Sequence, residues 1–286
     1  MSAIVTYTAV LPVDRAAVDR FSGELAAHRR AIGTRNGTRR LTPWAQAVLV
    51  LRWMIDGERV KQLRIDNALP SSTTYDYLHE GLDVLAASAP DLGEAIEATR
   101  AAGDEHIGLD GTLIPTCRVS LEGPTEGADL FYSGKHHRHG VNLQVVSASD
   151  GYPLWIGDAR PGREHDSTAA HHTGVEEAIA LINIGVPTDA HLLVLVDLGY
   201  EKFRDFPAVR CGYKKPKNGK LTIDQRQYNK VLGALRALAE KANADLKVRF
   251  KCLDKVGLNP WRIGTIARAC LALYHFERPR LTERHA

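Results

Sequence analysis

The hydrophobic positions in the first third of the chain recur every three to four residues, which is the period of an amphipathic helix. Residues 13–32 predict one helix, and the basic, glycine-punctuated residues 33–40 ("GTRNGTRR") are typical of a linker. Three further helices are predicted at residues 42–56, 60–65 and 71–85, each bounded by cap or stop signals. This part of the chain is therefore expected to be all-α.

The three helices predicted between residues 42 and 85 are short and closely spaced, a pattern that favours a trihelical helix-turn-helix unit. In such a unit the third helix contacts DNA through residues near its N-terminal end. The polar side chains at that end are Ser72, Thr73, Thr74, Asp76 and Tyr77. A small helical bundle that only packs or dimerises is the alternative. Residues 86–105, polar and rich in alanine, are expected to form a helical connector.

From residue 106 the pattern changes to the alternation and dense apolar runs that are typical of β-strands. Five strands are predicted, at residues 106–119, 140–149, 152–159, 190–200 and 209–216. Helices are predicted at residues 167–185, with Ser167 as the N-cap, and at residues 222–250. Three strands, a helix, a strand, a short helix, a strand and a long helix follow the element order of the ribonuclease H-like fold.

The predicted fold class is α/β: a ribonuclease H-like core with a mixed five-stranded sheet flanked by helices, preceded by an all-α helix-turn-helix domain. The expected domain organisation has three parts. Residues 1–40 form an N-terminal helical segment with a basic linker, and residues 41–105 form the helix-turn-helix domain with its connector. Residues 106–286 form the ribonuclease H-like domain.

The composition is that of an ordinary soluble protein, with 44% hydrophobic and 25% charged residues in a chain of 286. No uncharged apolar run approaches the ~20 residues that span a bilayer, and the N-terminus lacks the basic region of a signal peptide. The 4 cysteines are far apart and form no CxxC pair, which argues against zinc fingers and disulfide frameworks. We therefore expect a cytoplasmic protein in a reducing environment.

The formal net charge of +3 is unevenly distributed along the chain. Residues 1–199 carry 17 Lys and Arg against 26 Asp and Glu, a net charge of −9. Residues 200–286 carry 20 Lys and Arg against 8 Asp and Glu, a net charge of +12. This asymmetry indicates a polyanionic partner for the C-terminal part, with a solvated helical face as the alternative.

Two aspartates lie where a charged side chain is costly unless it is paired or bound to metal. Asp110 lies within the predicted strand "IGLDGT", and Asp197 ends the apolar run "LLVLVD". Glu240, on the last long helix, lies off the main apolar stripe on the side of Arg236. Each acid alone has an ordinary alternative, namely an aspartate that caps a turn or a glutamate paired with Arg236. Together the three suit two-metal phosphoryl transfer, because Mg²⁺ prefers carboxylate oxygens.

An acidic site of this kind needs basic residues nearby to attract the phosphates of its substrate. The segment "VRCGYKKPKNGK" contains no acid, and its cations are Arg210, Lys214, Lys215, Lys217 and Lys220. The motif "LDGTLI" is also similar to the haloacid dehalogenase-like phosphatases. The nucleophilic aspartate of that family is replaced by Gly108 here, which argues against phosphatase activity.

Seven motifs make the chain similar to bacterial insertion-sequence transposases of the DDE class, in the branch related to eukaryotic Harbinger elements, and the resemblance covers about residues 40–280. The motifs are "LDGTLIP", "YSGKHHRHGVNLQVV", "PGREHDS", "VDLGY", "YKKPKNGKLT", "YNKVLGALRALAEKANADLK" and "LNPWRIGTIARACLALYHFE". The resemblance implies a ribonuclease H-like catalytic domain with Asp110, Asp197 and Glu240 as its catalytic and metal-binding acids. It also implies a supporting role for Asp166, together with His165.

The activity that the resemblance implies is cut-and-paste DNA transposition. The protein would bind the terminal inverted repeats of double-stranded DNA and hydrolyse a phosphodiester there with two Mg²⁺ ions, for which Mn²⁺ could substitute. The freed 3′-OH would then join target DNA by transesterification. Two DNA ends need two active sites, so at least a homodimer is expected on DNA, in the bacterial nucleoid. A domesticated nuclease and a non-catalytic DNA-binding regulator are the alternatives.

The stretch "YSGKHHRHGVNLQVV" (residues 132–146) packs basic side chains between two glycines just before the second long predicted strand. Three interpretations compete: a zinc-binding histidine tract, a polar turn, and a loop that contacts phosphates. The histidines cannot easily converge on one ion, and no cysteine lies nearby to complete a zinc site. We favour the phosphate-contacting loop. The DNA-contacting residues predicted here and on the long helix are Lys135, His137, Arg138, Arg236 and Lys247.

Overall fold

The computed structural model describes residues 8–280 as a mixed α/β fold in which helices flank a curled, mixed sheet. Residues 1–7 and 281–286, which the predicted first and last segments include, lie outside the described residues. Within the described part, no helix is both long enough and apolar enough to cross a bilayer.

The first third of the chain is helical, as the periodicity predicts. Its helices are α1 (Arg15–Ala31), α2 (Pro43–Leu51), α3 (Val60–Asp66), α4 (Ser71–Ala86) and α5 (Leu92–Ala101), and a short π-helix, Arg52–Asp56, extends α2. Thr42 caps α2 by accepting a hydrogen bond at Oγ1 from the Ala45 amide, at 3.1 Å. Gly57 follows the π-helix with φ of 68°, a left-handed conformation that glycine adopts without strain.

The sheet contains the five predicted strands and two further strands of two residues each. In chain order they are β1 (His106–Pro115), β2 (Tyr132–Ser133), β3 (Arg138–Ser147), β4 (Pro153–Ile156), β5 (Arg160–Pro161), β6 (Leu193–Val196) and β7 (Val209–Cys211). The strand order is β2-β3-β1-β6-β7, and both β4 and β5 pair with β3. Strand β3 is antiparallel to β1, whereas β6 is parallel to both β1 and β7.

Four helices belong to the sheet-containing part: α6 (Asp166–His172), α7 (Val175–Leu181), α8 (Ile223–Arg249) and α9 (Ile263–Glu277). The single helix predicted at residues 167–185 is wrong, because Gly174, at φ of 75°, separates α6 from α7. The predicted cap is also wrong, since His165 occupies the N-cap position and Ser167 lies inside α6. A capping box between Thr222 and Gln225 starts α8, where the sequence places it.

The two faces of the sheet pack against different sets of helices. One hydrophobic cluster joins α1, α2, α4 and α9 with inward side chains of β1 and β3, such as Ile114 and Val145. A second cluster joins α5 and α7 with the opposite face, through Ile107, Leu109 and Val194. The helical N-terminal part therefore shares a core with the sheet. The division into domains at residue 105 remains a prediction.

Candidate active site

Two of the predicted acids lie at neighbouring positions, Asp110 on β1 and Asp197 directly after the parallel strand β6. Gly108 of β1 pairs with Leu195 of β6, so that two residues further on Asp110 and Asp197 occupy corresponding positions. Strand β6 ends at Val196, and Asp197 is the N-cap of the 3-10 helix Leu198–Phe203, where its Oδ1 accepts a hydrogen bond of 2.7 Å from the Gly199 amide. The pairing of β1 with β6 runs only to Gly108 and Leu195, so both carboxylates lie just beyond the point where it ends.

The carboxyl group of Asp110 is held in an environment that disfavours its charge. Burial raises its pKa to about 6, and the negative charges of Asp197 and Asp166 add to the effect. The positive charge of Arg236 and a hydrogen bond from Asn243 act in the opposite direction. The site is short of positive charge, and a bound cation would remove the penalty for ionising Asp110.

Helix α8 approaches Asp110 from one face of the sheet. The Asn243 amide donates a hydrogen bond from Nδ2 to Asp110 Oδ2 at 2.8 Å. One turn further along, Lys247 Nζ donates to Thr112 Oγ1 at 2.6 Å and to the Leu113 carbonyl at 3.3 Å. These contacts fix the register of the helix against β1.

Glu240 lies on the same side of α8 as Asn243 but is not hydrogen-bonded to either strand acid. Its side chain is 63% exposed, and Oε1 lies 3.7 Å from Nη2 of Arg236, the pair that ordinary i, i+4 spacing favours. Arg236 is only 19% exposed and also acts electrostatically on Asp110. The third predicted acid is therefore on the helix that reaches the site, with its carboxylate still facing solvent.

Asp166, at the start of α6, approaches from the opposite face of the sheet. A Cβ atom at Gly199 would lie 2.8 Å from Asp166 Oδ2 and 2.8 Å from Asp197 Oδ1, so these two carboxylates share a small space. Asp166 Oδ1 accepts a hydrogen bond of 2.8 Å from Asn142 Nδ2. His165, the N-cap residue of α6, is exposed beside it.

A buried hydrogen-bond chain supports Asp166. Tyr200 donates its hydroxyl to Gln144 Oε1 at 2.6 Å, and Gln144 Nε2 donates to Asn142 Oδ1 at 3.0 Å. Asn142 then donates to Asp166, so every donor points towards the carboxylate. Such a chain fixes the orientation of the Asp166 carboxylate.

The basic loop at residues 134–138 lies beside the acids, as its sequence position predicts. Lys135 Nζ is 3.5 Å from Asp166 Oδ2, and His137 adopts a left-handed backbone with φ of 51°. A cleft of about 570 Å³ is lined by Lys135, His136, Asp166 and Asp197, among others. A second cavity, of about 350 Å³, is lined by Arg138 and Lys247 as well as His136. Positive side chains thus flank the acids on both faces of β1.

Other predicted DNA-binding residues lie in two further places. Between β7 and α8, four lysines are exposed: Lys214, Lys215, Lys217 and Lys220. Arg210, on β7, is partly buried, and its Nη1 donates to the Pro207 carbonyl at 2.8 Å. Ser72, Thr73 and Asp76 lie on α4, where Ser72 and Asp76 are exposed and Thr73 is half-buried.

The structure corrects the prediction at two positions of α4. Thr74 is fully buried and donates its hydroxyl to the Pro70 carbonyl at 2.8 Å. Tyr77 is 2% exposed, and its hydroxyl accepts a hydrogen bond of 3.2 Å from the Leu41 amide. Both side chains are occupied within the core, so we assign them to packing and not to DNA contact.

The donor atoms around Asp110 fit a divalent cation of the hard, oxygen-binding kind. The carboxylates of Asp110, Asp166 and Asp197 supply charged oxygens. In addition, Asn243 Oδ1 is buried without a hydrogen-bond partner among the described residues, which is costly for a carbonyl oxygen unless a ligand satisfies it. Within residues 8–280, no group of three His, Cys, Asp or Glu side chains is already arranged as a complete metal site. A complete ligand set would therefore require side chains to move, and the Glu240 side chain, which is 63% exposed, lies in solvent.

The comparison with protein families covers this same region. The sequence model of the family described as DDE superfamily endonuclease matches residues 109–275, which is more than half of the chain and includes Asp110, Asp197 and Glu240. The chain belongs to the DDE superfamily endonucleases. The predicted resemblance to DDE-class enzymes is thereby confirmed.

A curated relative of this DDE superfamily endonuclease is the probable transposase for insertion sequence element IS702 from Microchaete diplosiphon. The two sequences are 28% identical over 160 residues, which cover 55% of this chain and 53% of the relative. The match thus spans about half the length of the relative. No solved structure matches the chain significantly.

Sequence reasoning missed the polar residues that support the acids, namely Asn142, Gln144, Tyr200 and Asn243. Asn142 and Gln144 alternate with apolar residues in "GVNLQVV", and each is buried. Polar residues on the inward positions of a buried strand were the available signal, because they need partners inside the protein. For Asn243 the signal was its place one turn after Glu240 and one turn before Lys247.

Proposed function

We propose that this protein is a DNA transposase that cleaves a phosphodiester at the ends of its element and joins the freed 3′-OH to target DNA. The observation that carries the proposal is the adjacent placement of Asp110, on β1, and Asp197, directly after the parallel strand β6, inside the family-matched region. The relative's printed name, probable transposase for an insertion sequence element, supports DNA as the substrate. The sheet order, with an antiparallel β3 and parallel β6 and β7 around β1, supports a ribonuclease H-like catalytic core.

In this proposal Asp110, Asp197 and Glu240 hold two Mg²⁺ ions, and Mn²⁺ can substitute. When bound, such ions activate the attacking oxygen and stabilise the leaving oxygen of an in-line displacement. The chain itself orients the carboxylates: Asn243 holds Asp110, and the Gly199 amide holds Asp197. Glu240 joins the strand acids by releasing its ion pair with Arg236. Asp166 and His165 shape the cleft from the opposite face.

The basic residues around the acids bind the DNA backbone. Lys135, His137 and Arg138 contact phosphates next to the cleft. Arg236 and Lys247 add further phosphate contacts from α8. The exposed lysine segment before α8, with Arg210 at its start, extends this surface. Phosphate contacts of this kind give affinity that falls steeply with salt, whereas base contacts give sequence preference.

We also propose that α2, α3 and α4 form a helix-turn-helix unit that contacts the terminal inverted repeats. Ser72 and Thr73 are the candidate contacts, since they lie at the start of α4 and remain accessible to solvent. Joining two DNA ends needs two active sites, so we expect a homodimer or a larger assembly on DNA. Such an enzyme works at the nucleoid in the bacterial cytoplasm.

The test is cleavage of DNA that carries the element's own ends, in Mg²⁺ or Mn²⁺, with nicks mapped at nucleotide resolution. Asp110→Asn and Asp197→Asn are each expected to reduce nicking at least a thousandfold, because each removes a charge on which metal binding depends, yet leave end binding within a few-fold. Lys241→Gln, an exposed change on the acid-bearing helix, is the control. Nicking by Asp110→Asn at the wild-type rate would contradict the proposal. Binding without any metal-dependent nicking by the wild type would favour a DNA-binding regulator.

A further inference from the structure

Asn243 is the residue of α8 that touches a catalytic acid directly. It is 8% exposed, and Nδ2 donates a hydrogen bond of 2.8 Å to Asp110 Oδ2. The other atom of the same amide, Oδ1, is buried and has no hydrogen-bond partner among the described residues. A polar side chain buried in this way costs stability unless both of its polar atoms are satisfied.

A purely structural role does not account for this arrangement. Helix α8 carries a structural asparagine for comparison: Asn229 donates to the Tyr213 carbonyl at 2.9 Å and accepts from the Tyr213 amide at 2.8 Å. Both ends of the Asn229 amide are satisfied within the chain. Asn243 has one end on Asp110 and one end without a partner, directly beside the site where a cation is expected.

We propose that Asn243 is a positioning residue for Asp110 and that its amide oxygen is a neutral ligand of the cation that Asp110 binds. The amide nitrogen donates its hydrogen bond to Asp110 Oδ2. This bond fixes the carboxylate and leaves its other oxygen for the cation. The amide oxygen then finds in the cation the partner that the protein does not give it. A neutral oxygen ligand suits Mg²⁺ and Mn²⁺, and it adds no further negative charge to a site already crowded with carboxylates.

This inference rests on the proposed metal-dependent function but assigns a residue outside the three acids. Glu240, one turn earlier on α8, is 63% exposed and paired with Arg236. Asn243 therefore already contacts Asp110, whereas Glu240 has to leave its ion pair with Arg236 to reach the strand acids. Unlike Glu240, Asn243 is expected to contribute to cation affinity in the free protein, without DNA.

The experiment measures Mn²⁺ binding by the full chain without DNA, from the electron paramagnetic resonance signal of free Mn²⁺. Asn243→Leu keeps the volume but removes both polar atoms, and we expect it to weaken Mn²⁺ binding about 10- to 100-fold, as loss of a supporting residue does in metal sites. Asn243→Asp places a second charged oxygen at the same position. It is expected to bind Mn²⁺ at least as tightly as the wild type, although its melting temperature without metal falls.

Asn229→Ala is the matched control, because it removes an asparagine that serves structure alone on the same helix. It is expected to lower the melting temperature and to leave Mn²⁺ affinity unchanged. Wild-type affinity in Asn243→Leu, or equal weakening in Asn243→Leu and Asn243→Asp, would overturn the inference. An Asp110→Asn arm separates the two proposals: if it leaves Mn²⁺ binding intact, the proposed metal site itself fails. If it abolishes binding while both Asn243 variants behave as wild type, only the role of Asn243 fails.

Discussion

At the scale of single residues, the proposed role of Asp110 as a metal ligand conflicts with its contribution to stability. Its pKa is raised to about 6 from an ordinary value of 3.8, because burial and the neighbouring Asp197 disfavour the charged form. Near neutral pH and without metal, this carboxylate is ionised in a place that disfavours its charge. The contribution of Asp110 to stability is therefore complete below about pH 4 and is lost as the pH rises through about 6.

Asp110→Asn is expected to stabilise the metal-free protein at neutral pH while it abolishes cleavage. Raising the pKa from 3.8 to about 6 corresponds to about 3 kcal/mol. This is the upper limit of the gain, because it is the whole penalty for ionising Asp110, and an uncharged Asn side chain avoids it. The measurement is the free energy of unfolding in EDTA at pH 7.5 and at pH 4.5. The gain should be present at pH 7.5 and shrink at pH 4.5, where the wild-type carboxyl group is largely protonated. An equal change at both pH values would show that the effect is packing and not charge.

At the scale of elements, the basic loop is placed by the strands around it. Strands β2 and β3 pair antiparallel, through Ser133 with Arg138, so residues 134–137 form the connection between them. Because β3 also pairs with β1, the loop is brought to the edge where Asp110 and Asp197 lie. The same side chains on an isolated peptide would have no fixed relation to the acids.

Lys135→Ala combined with Arg138→Ala is expected to weaken DNA binding at least tenfold near 100 mM salt, because two phosphate contacts are lost. The slope of log K against log salt should become less steep by about two units. The measurement is a salt series of binding constants with one duplex. Arg15→Ala combined with Arg30→Ala removes the same charge from exposed positions of α1 and serves as the control. If log K falls equally steeply with log salt in both double variants, the loop is a plain polar turn without phosphate contacts.

At the scale of the whole molecule, the N-terminal helices and the sheet are joined by a continuous core. Helix α4 packs against α9, which in turn packs against β4 and β3 residues in the same hydrophobic cluster. The helices proposed to contact DNA are therefore mechanically connected to the strands that carry the acids. A change in the packing of α4 should therefore alter the stability of the entire fold.

Gly81 and Gly233 offer a matched test of this shared core, since both lie inside helices. A Cβ atom at Gly81 would lie 2.5 Å from Val50 Cγ2 in the buried core, whereas one at Gly233 would meet nothing within 4 Å. Gly81→Ala is expected to destabilise the whole chain by about 1–3 kcal/mol through overpacking. Gly233→Ala is expected to stabilise it by up to about 1 kcal/mol, the gain in helix propensity.

The measurement for both glycine variants is thermal unfolding followed by circular dichroism and by Mn²⁺ binding. In Gly81→Ala, loss of helix and loss of metal binding should move to lower temperature together, in one transition. Two separated transitions would show that the helical part and the catalytic part unfold independently, as the predicted boundary at residue 105 implies.

The sequence by itself determined the elements whose signals are local. Hydrophobic period located α1 to α4, α8 and all five predicted strands, since amphipathic spacing and caps depend on neighbouring residues only. The same local signals missed the break between α6 and α7, where one glycine in a left-handed conformation decides the outcome. The positions of Asp110, Asp197 and Glu240 in the predicted elements, together with the motif resemblance, predicted them as the acidic set, and the family match confirms the class of enzyme.

Only the tertiary structure decided which polar side chains meet. Sequence spacing could place Thr74 and Tyr77 at the start of a helix, but the packing of α4 turned both into the core. Likewise, nothing in the sequence joins Asn243 to Asp110, which are 133 positions apart. Their contact depends on the packing of α8 against the sheet, where it meets β1, β3 and β6. Helices and strands depend on neighbouring residues, whereas a site depends on long-range packing. For that reason the contact of Asn243 with Asp110 could be found only in the folded chain.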